Sequence, residues 1–241
     1  MKQKLIIVSI LLFAFQAQSN AQEAALGLRG GYNMFFSTPD GLNYIVDRYN
    51  ETRPFLTEEM EHFSYLDGFT YHFFGGLANF LVEAGYDHRS QTRFARGIDA
   101  SGFNQERQLR MVLNTGNLGL AYSFIADEDA FVSAGVRSNI GPLRIKTRIG
   151  SEDEVGDLEW EEIYDDIYMD FEFNLKLVMQ GFSIEPYYTV GLDSFSDMVH
   201  NLQEVNQALN PNTHQNDPET ISLKANGFGI RIMFAFMSTD L

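Results

Sequence analysis

Two consecutive runs of alternating residues decide the fold: IYMDFEFNLKLVMQGFSIEPYYTVGLD, residues 167–193. Every second residue from Ile167 to Leu177 is apolar, and most of the residues between them are charged or polar. The second run continues the alternation from Phe182 to Leu192. Because strand side chains point alternately to two faces, each run predicts a β-strand with one apolar face. Gln180-Gly181 between the runs is typical of a hairpin turn.

The same period of two recurs along the chain. It is clear in residues 26–36 and 228–236, and less regular in residues 69–76, 81–92, 109–124 and 131–149. Long connections (about 37–68, 95–108, 150–163 and 194–219) alternate with short ones near 77–80, 126–130 and 180–181. Eight strands with every long loop at one end predict an all-β, antiparallel, up-and-down barrel, the pattern of transmembrane barrels.

Alternation also fits a soluble barrel or sandwich, in which the apolar face would be buried. Three features favour the membrane barrel. The predicted strands reach or exceed the roughly 9 to 11 residues that a tilted membrane strand needs, and the polar face is rich in glycine and in charges of both signs. Aromatic residues stand near strand ends, as in a membrane girdle: Tyr32, Phe36, Tyr86, Tyr122, Phe131, Tyr188 and Phe236.

The first residues predict export. Lys2 and Lys4 precede an apolar run over residues 5–15, and Ser19-Asn20-Ala21 supplies small residues for cleavage before Gln22. The run is shorter than the about 20 residues of a membrane-spanning helix. We therefore expect a signal peptide over residues 1–21, a single barrel domain over residues 22–241, and an outer-membrane location.

These strand-like runs, the loop asymmetry and the final Phe234-Ala235-Phe236 resemble the small outer-membrane β-barrel proteins. The resemblance is to the OmpA-like and PorT-like barrels of Bacteroidetes, and it covers nearly all of the chain after residue 21. It implies an envelope protein of Gram-negative bacteria. Because that family is defined by its fold, the resemblance implies no catalytic residues.

Composition excludes several classes of function. The net charge of −16 argues against nucleic-acid binding, which requires a basic face. The absence of cysteine excludes disulfides, thiol catalysis and Cys-ligated zinc. No phosphate-binding loop, dinucleotide fingerprint or serine elbow is present in the sequence, and the five histidines show no metal-ligand spacing. We therefore expect no cofactor, no metal and no catalytic residue.

If the apolar face meets lipid, the charges on the polar face point into the barrel. The residues in this set are Arg29, Glu83, Asp87, Arg89, Asp170, Glu172, Lys176, Glu185 and Arg231. Eight strands leave an interior that side chains nearly fill, so these charges should pair. Two interpretations remain open: a packed polar core, or a narrow pathway for ions or small solutes.

The long loops are the second candidate site. The stretch Ser37-Thr38-Pro39-Asp40 predicts an N-cap followed by a proline at the first helical position, and residues 42, 45, 46 and 49 after it are apolar at helical spacing. A second short helix is predicted over residues 57–63. In the last loop, Met198, Leu202, Val205 and Leu209 predict another helix. Such helices would either cap the barrel mouth or bind a protein or ligand partner.

The third loop is strongly acidic, which suits either a solvated loop or a cation site of oxygen ligands. Its candidate ligands are Glu152, Asp153, Glu154, Asp157 and Glu159, next to Trp160. His88, Ser90 and Asp87 are the best candidates for lipid-modifying catalysis, but alternation puts His88 opposite Asp87. We therefore predict a monomeric, non-enzymatic barrel that contacts outer-membrane lipids and has a structural or binding role. A narrow channel is the second alternative and a barrel enzyme the third.

Overall fold

The computed structural model describes residues 24–77, 79–99, 101–126, 130–179, 181–191, 200–211, 218–223 and 226–240. The predicted signal peptide, Gln180 of the hairpin turn and Met198 of the last loop lie outside the described residues. None of the helices in these ranges has the length and apolar character needed to cross a bilayer.

Eight long strands and one short strand form the sheet. The strands are β1 (Ala24–Phe36), β2 (Leu56–Glu58), β3 (Tyr65–Leu77), β4 (Phe80–Ile98), β5 (Asn104–Ala126), β6 (Ala130–Ser151), β7 (Glu161–Met179), β8 (Phe182–Gly191) and β9 (Gly227–Asp240). In the described parts of the connections lie the α-helices α1 (Asp40–Glu51) and α2 (Gln203–Leu209) and a 3-10 turn at Val155–Asp157. The short strand β2 pairs only with the end of β4.

The eight long strands close into a ring. Each pairs antiparallel with its neighbours in the order β4-β3-β1-β9-β8-β7-β6-β5, and β5 pairs with β4 to complete it. A row of directly opposed residues that starts at Phe36 returns to β1 at Leu26, ten residues away. Such a stagger is required because barrel strands tilt against the axis. The predicted up-and-down, eight-stranded barrel is confirmed.

The barrel is taller on one side than on the other. Strands β4 to β7 have 19 to 23 residues, whereas β1, β3, β8 and β9 have 10 to 14. The expected long loop over residues 95–108 is wrong for this reason, because the ladder continues to Ile98 opposite Asn104. Only residues 99–103 connect these two strands. The other long connections span residues 37–64, 152–160 and 192–226.

The outward face carries a continuous belt of exposed apolar side chains. On β9 the belt runs from Phe228 to Phe236, and on β7 from Ile167 to Met179. Phe131 departs from the expected girdle, because it packs in the interior against Phe74 and lies 5.7 Å from the Arg29 guanidinium. An exposed apolar surface of this extent is unusual for a monomeric soluble protein.

The interior has three zones along the barrel axis. At the end with the short turns, Phe74, Leu81 and Ala121 form a small apolar cluster. Charged and polar residues fill the middle. At the loop end, α1 and α2 pack against the inward face of the tall strands. We call this third zone the loop-end cap, and its core includes Phe35, Leu42, Ile45, Val46, Tyr49, Met60, Phe63, Leu109, Met111, Leu113, Leu143, Ile145, Leu202, Val205 and Leu209.

The cap explains where the loop predictions succeed and fail. All four apolar residues of the predicted first helix are buried on α1. The helix predicted over residues 57–63 is wrong: Leu56–Glu58 is a strand, and no helix follows it before β3. The predicted position of the proline is wrong by one residue, since α1 begins at Asp40 and Pro39 is the N-cap, without a side-chain hydrogen bond. Tertiary packing of Met60 and Phe63 into the cap holds this segment extended.

The cap predicts a clear difference between two substitutions on α2. Leu209 is completely buried, so Leu209→Ala should lower the free energy of unfolding by about 2 to 5 kcal/mol through lost burial and an unfilled cavity. Gln207→Ala, on the exposed side of the same helix, should change it by less than about 0.5 kcal/mol. Urea titration of the refolded protein in detergent measures both. Equal stability of the two variants would contradict the cap.

Candidate functional site

Among the described residues, ten charged side chains lie buried in the middle zone of the interior, each at most 3% exposed. We call them the lumen charge network: Arg29, Glu83, Asp87, Arg89, Arg137, Asp170, Glu172, Lys176, Glu185 and Arg231. Nine of them are the residues that alternation predicted to face inward, and the structure places all nine there. Five are basic and five acidic, so this set is neutral when every member is ionised.

Arg137 is the member that the sequence reasoning missed. It lies on β6 between the inward residues Ser133 and Asn139, so strict alternation would have identified it. The uneven pattern of residues 131–149 hid the signal. Gly119 on β5 makes room for this residue, because a Cβ at Gly119 would overlap the Arg137 side chain.

Arg137 joins three carboxylates. Its Nη2 donates to Glu83 at 2.6 Å and to Glu185 at 3.0 Å, and its Nη1 donates to Glu172 at 3.1 Å. Lys176 forms a further ion pair with Glu83. These groups come from β4, β6, β7 and β8. The pair with Glu172 joins the neighbouring strands β6 and β7, whereas the pairs with Glu83 and Glu185 join strands that are not neighbours in the sheet.

Arg231 joins a second set of carboxylates that overlaps the first. It contacts both Glu172 oxygens, at 2.6 and 2.8 Å, and it reaches Asp87 at 2.8 Å and Glu185 at 2.9 Å. Glu172 and Glu185 are therefore shared between Arg137 and Arg231. A carboxylate held by two guanidinium groups keeps its charge without water, which an isolated buried charge could not do.

The remaining cations face the apolar zones. The Arg29 guanidinium lies 4.0 Å from the Phe74 ring centre at the turn end, and the Arg89 guanidinium lies 4.9 Å from Phe35 at the cap. Tyr187 lies between the network and the cap: its hydroxyl donates to Asn33 at 2.6 Å, and Arg231 stands 4.0 Å from its ring centre. Aromatic faces attract cations, so these contacts join the charged zone to its apolar neighbours.

The network is not completely satisfied within the described residues. Nε and Nη1 of Arg89 and Oδ2 of Asp170 are buried without a hydrogen-bond partner. The hydroxyl groups of Ser133, Ser183 and Thr189 are also buried without a hydrogen-bond partner. Groups of this kind are usually satisfied by buried water, so the middle zone is polar enough to hold isolated waters.

The acidic third loop is dispersed in the structure. Glu152 pairs with Arg96 at 3.2 Å, and Glu154 accepts a hydrogen bond from Ser151 at 3.1 Å. The Trp160 ring lies beside Arg148. Across the described ranges, no three carboxylates or imidazoles converge closely enough to hold a metal ion. The predicted cation ligands Glu152, Asp153, Glu154, Asp157 and Glu159 are thus not brought together.

The candidate catalytic residues point in different directions. Asp87 is buried in the interior and paired with Arg231, whereas His88 faces outward and stacks on Phe69 with 4.9 Å between ring centres. The His88 Nδ1 lies 2.6 Å from Asn114 Oδ1. The Ser90 hydroxyl accepts a hydrogen bond from Arg110 at 3.4 Å. Asp87 therefore cannot orient His88 as a triad requires.

A smaller polar cluster anchors the last loop above the barrel. His200 Nδ1 lies 3.0 Å from Asp166 Oδ2, and the Tyr164 hydroxyl donates to the same oxygen at 3.2 Å. Burial raises the pKa of Asp166, but hydrogen bonds from the Ile167 amide, His200 and Tyr164 outweigh it and hold the pKa below its usual range. Burial and the Asp166 charge raise the pKa of Tyr164.

No family model matches the chain, and no curated protein matches it. Among solved structures, the chain is similar to Ail, the attachment invasion locus protein of Yersinia pestis, at 10% identity and a TM-score of 0.44, covering 89% of this chain and all of that chain. It is also similar to Ail in complex with the heparin analogue sucrose octasulfate (8% identity, TM-score 0.41, 89% and 100% covered). A third similar structure is Neisserial surface protein A (8% identity, TM-score 0.34, 90% and 97% covered).

Removal of Arg137 should expose how strongly the network depends on it. Arg137→Met leaves three buried glutamates with fewer cations, so the free energy of unfolding should fall by about 3 to 5 kcal/mol. Arg93→Met, which breaks the exposed pair with Glu61, should cost at most about 1 kcal/mol. Adding Glu83→Gln to Arg137→Met should restore part of the loss. Urea unfolding in detergent tests all three variants. If the double variant recovers no stability, uncompensated glutamate charge is not the reason why Arg137→Met destabilises the protein.

Acid should weaken the Asp166 anchor. Because the pKa of Asp166 is lower in the folded state, its ionised carboxylate stabilises the folded protein at pH values above the unfolded pKa of about 3.8. This stabilisation is lost as the pH falls through the folded pKa. Between about pH 5 and pH 2, thermal unfolding should therefore show a larger loss of stability for the unmodified protein than for Asp166→Asn. Asp157→Asn, an exposed change in the neighbouring loop, should behave like the unmodified protein. An identical acid response of all three would refute the anchor.

Proposed function

We propose that this chain is an outer-membrane β-barrel protein with a closed interior, whose rigid loop-end surface binds a partner outside the membrane. The observation that carries the proposal is the combination of an exposed apolar belt with a charge-neutral interior sealed at both ends. This proposal includes export through a cleaved signal peptide. It also includes kinship with the OmpA-like and PorT-like small barrels.

The belt supports a position in a bilayer. Its nine residues from Phe228 to Phe236 match the roughly 9 to 11 that a tilted strand needs to cross the hydrocarbon core. Ring closure gives each of the eight long strands a hydrogen-bonded neighbour on both sides, so the described sheet has no edge strand among them, which is the condition for β-structure in lipid. A soluble protein would leave the same belt in water at a large cost in hydrophobic free energy.

The sealed interior favours a closed barrel over the channel alternative. A solute would have to pass the Phe74 cluster, break shared ion pairs of Arg137 and Arg231, and then cross the loop-end cap. The unpartnered polar atoms of Arg89 and Asp170 favour trapped water, and water alone does not make a continuous passage. We assign no enzymatic activity, because Asp87 and His88 lie on opposite faces.

The loop end supports the binding role. The cap fixes α1 and α2 against the tall strands, and large apolar side chains stay exposed around it, among them Phe55, Leu158 and Phe103, the last 70% exposed. Phe103 lies beside a shallow cleft of about 390 Å³ lined also by Asn104, Ser151 and Glu152. Rigid barrels commonly carry their function on such loops.

The closed barrel has a direct electrical test. The refolded full chain should shift its mobility on heating in an unboiled gel, as folded membrane barrels do, and should leave a planar bilayer at baseline conductance. Steady single-channel current steps from the unmodified protein would contradict the closed barrel and favour the channel alternative. Recovery of the expressed protein in the soluble periplasmic fraction would refute the membrane location itself.

A further inference from the structure

Four basic residues project outward from the tall side of the barrel, above the apolar belt. We call them the basic patch: Arg110 on β5, and Arg144, Lys146 and Arg148 on β6. All four follow the outward alternation of their strands. Arg110 is directly opposite Lys146 in the β5–β6 register. Like charges directly opposed across a strand pair are destabilising unless something negative lies between or beside them.

Nearby carboxylates do not balance the basic patch. Glu162 lies 3.5 Å from Arg144 and 3.4 Å from Lys146, and Asp165 lies 3.3 Å from Arg144. Within the described residues these two are the ion-pair partners of four cations. The contrast with Arg96 is informative, since that single outward arginine pairs with Glu58, Glu106 and Glu152. A chain of net charge −16 thus leaves this cationic surface under-neutralised.

Two members of the basic patch, Arg110 and Arg148, donate hydrogen bonds to neutral groups. The Arg148 guanidinium donates to the carbonyls of Gly156 and Leu158 and to the Gln108 side chain, at 2.8 to 3.0 Å. Arg110 donates to the Ser90 hydroxyl at 3.4 Å, and its Nε has no partner. Neutral contacts orient a guanidinium without cancelling its charge, so both arginines remain available to an anion.

The height of the basic patch matches a lipid headgroup. Ile140, 48% exposed in the belt, lies four residues before Arg144 on β6. Four residues of a tilted strand rise roughly 10 Å along the barrel axis. The headgroup layer extends about 5 to 7 Å beyond the hydrocarbon core, and long basic side chains readily reach back into it.

We infer that the basic patch binds the phosphate groups of an anionic lipid headgroup in the leaflet nearest the loops. Planar guanidinium groups suit phosphate oxygens, and Lys146 adds a compact charge between Arg110 and Arg144. Trp160 completes the surface, with its ring 4.3 Å from Arg148 and 5.7 Å from Arg110. Aromatic residues of this kind prefer the membrane interface. The inference rests on the proposed membrane location.

Trp160 is the sole tryptophan in the sequence, so its fluorescence reports on this site. The refolded full chain in detergent micelles is titrated with short-chain phosphatidic acid, with the matching diacylglycerol, and with inorganic phosphate. Phosphatidic acid should change the emission of Trp160 at concentrations about tenfold or more below those of either comparison probe. The apparent affinity should fall as salt is added, because exposed charges are screened.

Two charge-matched variants test the residues. Arg110→Gln/Lys146→Gln should weaken binding of phosphatidic acid by about tenfold or more, since two charged contacts to phosphate are lost. Arg93→Gln/Arg96→Gln removes the same charge outside the basic patch and should bind as the unmodified protein does. Equal weakening of both variants would mean that only net charge matters, and the site would be refuted.

The remaining outcomes are equally decisive. If inorganic phosphate binds as tightly as phosphatidic acid, the surface is a general anion site and the lipid assignment is wrong. If diacylglycerol binds as tightly as phosphatidic acid, the headgroup phosphate does not contribute to binding and the inference is wrong. The heat-dependent gel shift is measured on every sample: loss of the shift in the unmodified protein counts against the membrane barrel, whereas a retained shift without phosphate preference counts against the basic patch alone.

Discussion

Ionic charges inside a narrow barrel have no bulk water to solvate them, and the pairing of those charges is the constraint on which the rest of the structure depends. Arg137 and Arg231 share Glu172 and Glu185 between them, and each adds a further carboxylate of its own. Arg137–Glu83 and Arg231–Asp87 join strands that are not neighbours in the ring, so these pairs form only when the barrel is closed. Closure and charge pairing therefore stabilise each other.

The two apolar zones follow from the same constraint. An ion-paired interior is stable when water is excluded from its ends, because competing hydration would weaken each pair. The Phe74 cluster excludes water at the turn end, and the loop-end cap excludes it at the other. The tall strands β4 to β7 give α1 and α2 an apolar wall to pack against. Their height also carries the basic patch beyond the belt, where its charges need no burial.

Much of the architecture could be predicted because a strand has a period of two. That period assigned nine members of the lumen charge network to the inward face. The spacing between the periodic runs gave the alternation of long and short connections. Sequence reasoning failed where local pattern and tertiary packing differ. The length of β4 and β5 depends on the cap that covers their inward residues, so the expected loop over residues 95–108 became strand. The segment over residues 57–63 was predicted helical, but Met60 and Phe63 are held extended by burial.

Arg137 shows what local reasoning loses when a pattern is uneven, because glycines and Pro142 interrupt the alternation on β6 and a residue with three carboxylate partners went unnamed. The sequence by itself determined the inward face of the regularly alternating strands, the order of the strands and the chemical character of the interior, since each depends on side-chain alternation along a single segment. Only the tertiary structure decided which charge meets which, that Phe131 turns inward, and that Arg110 faces Lys146. Those relations depend on strand register and on the ten-residue stagger of the closed ring, which no single segment of the chain contains.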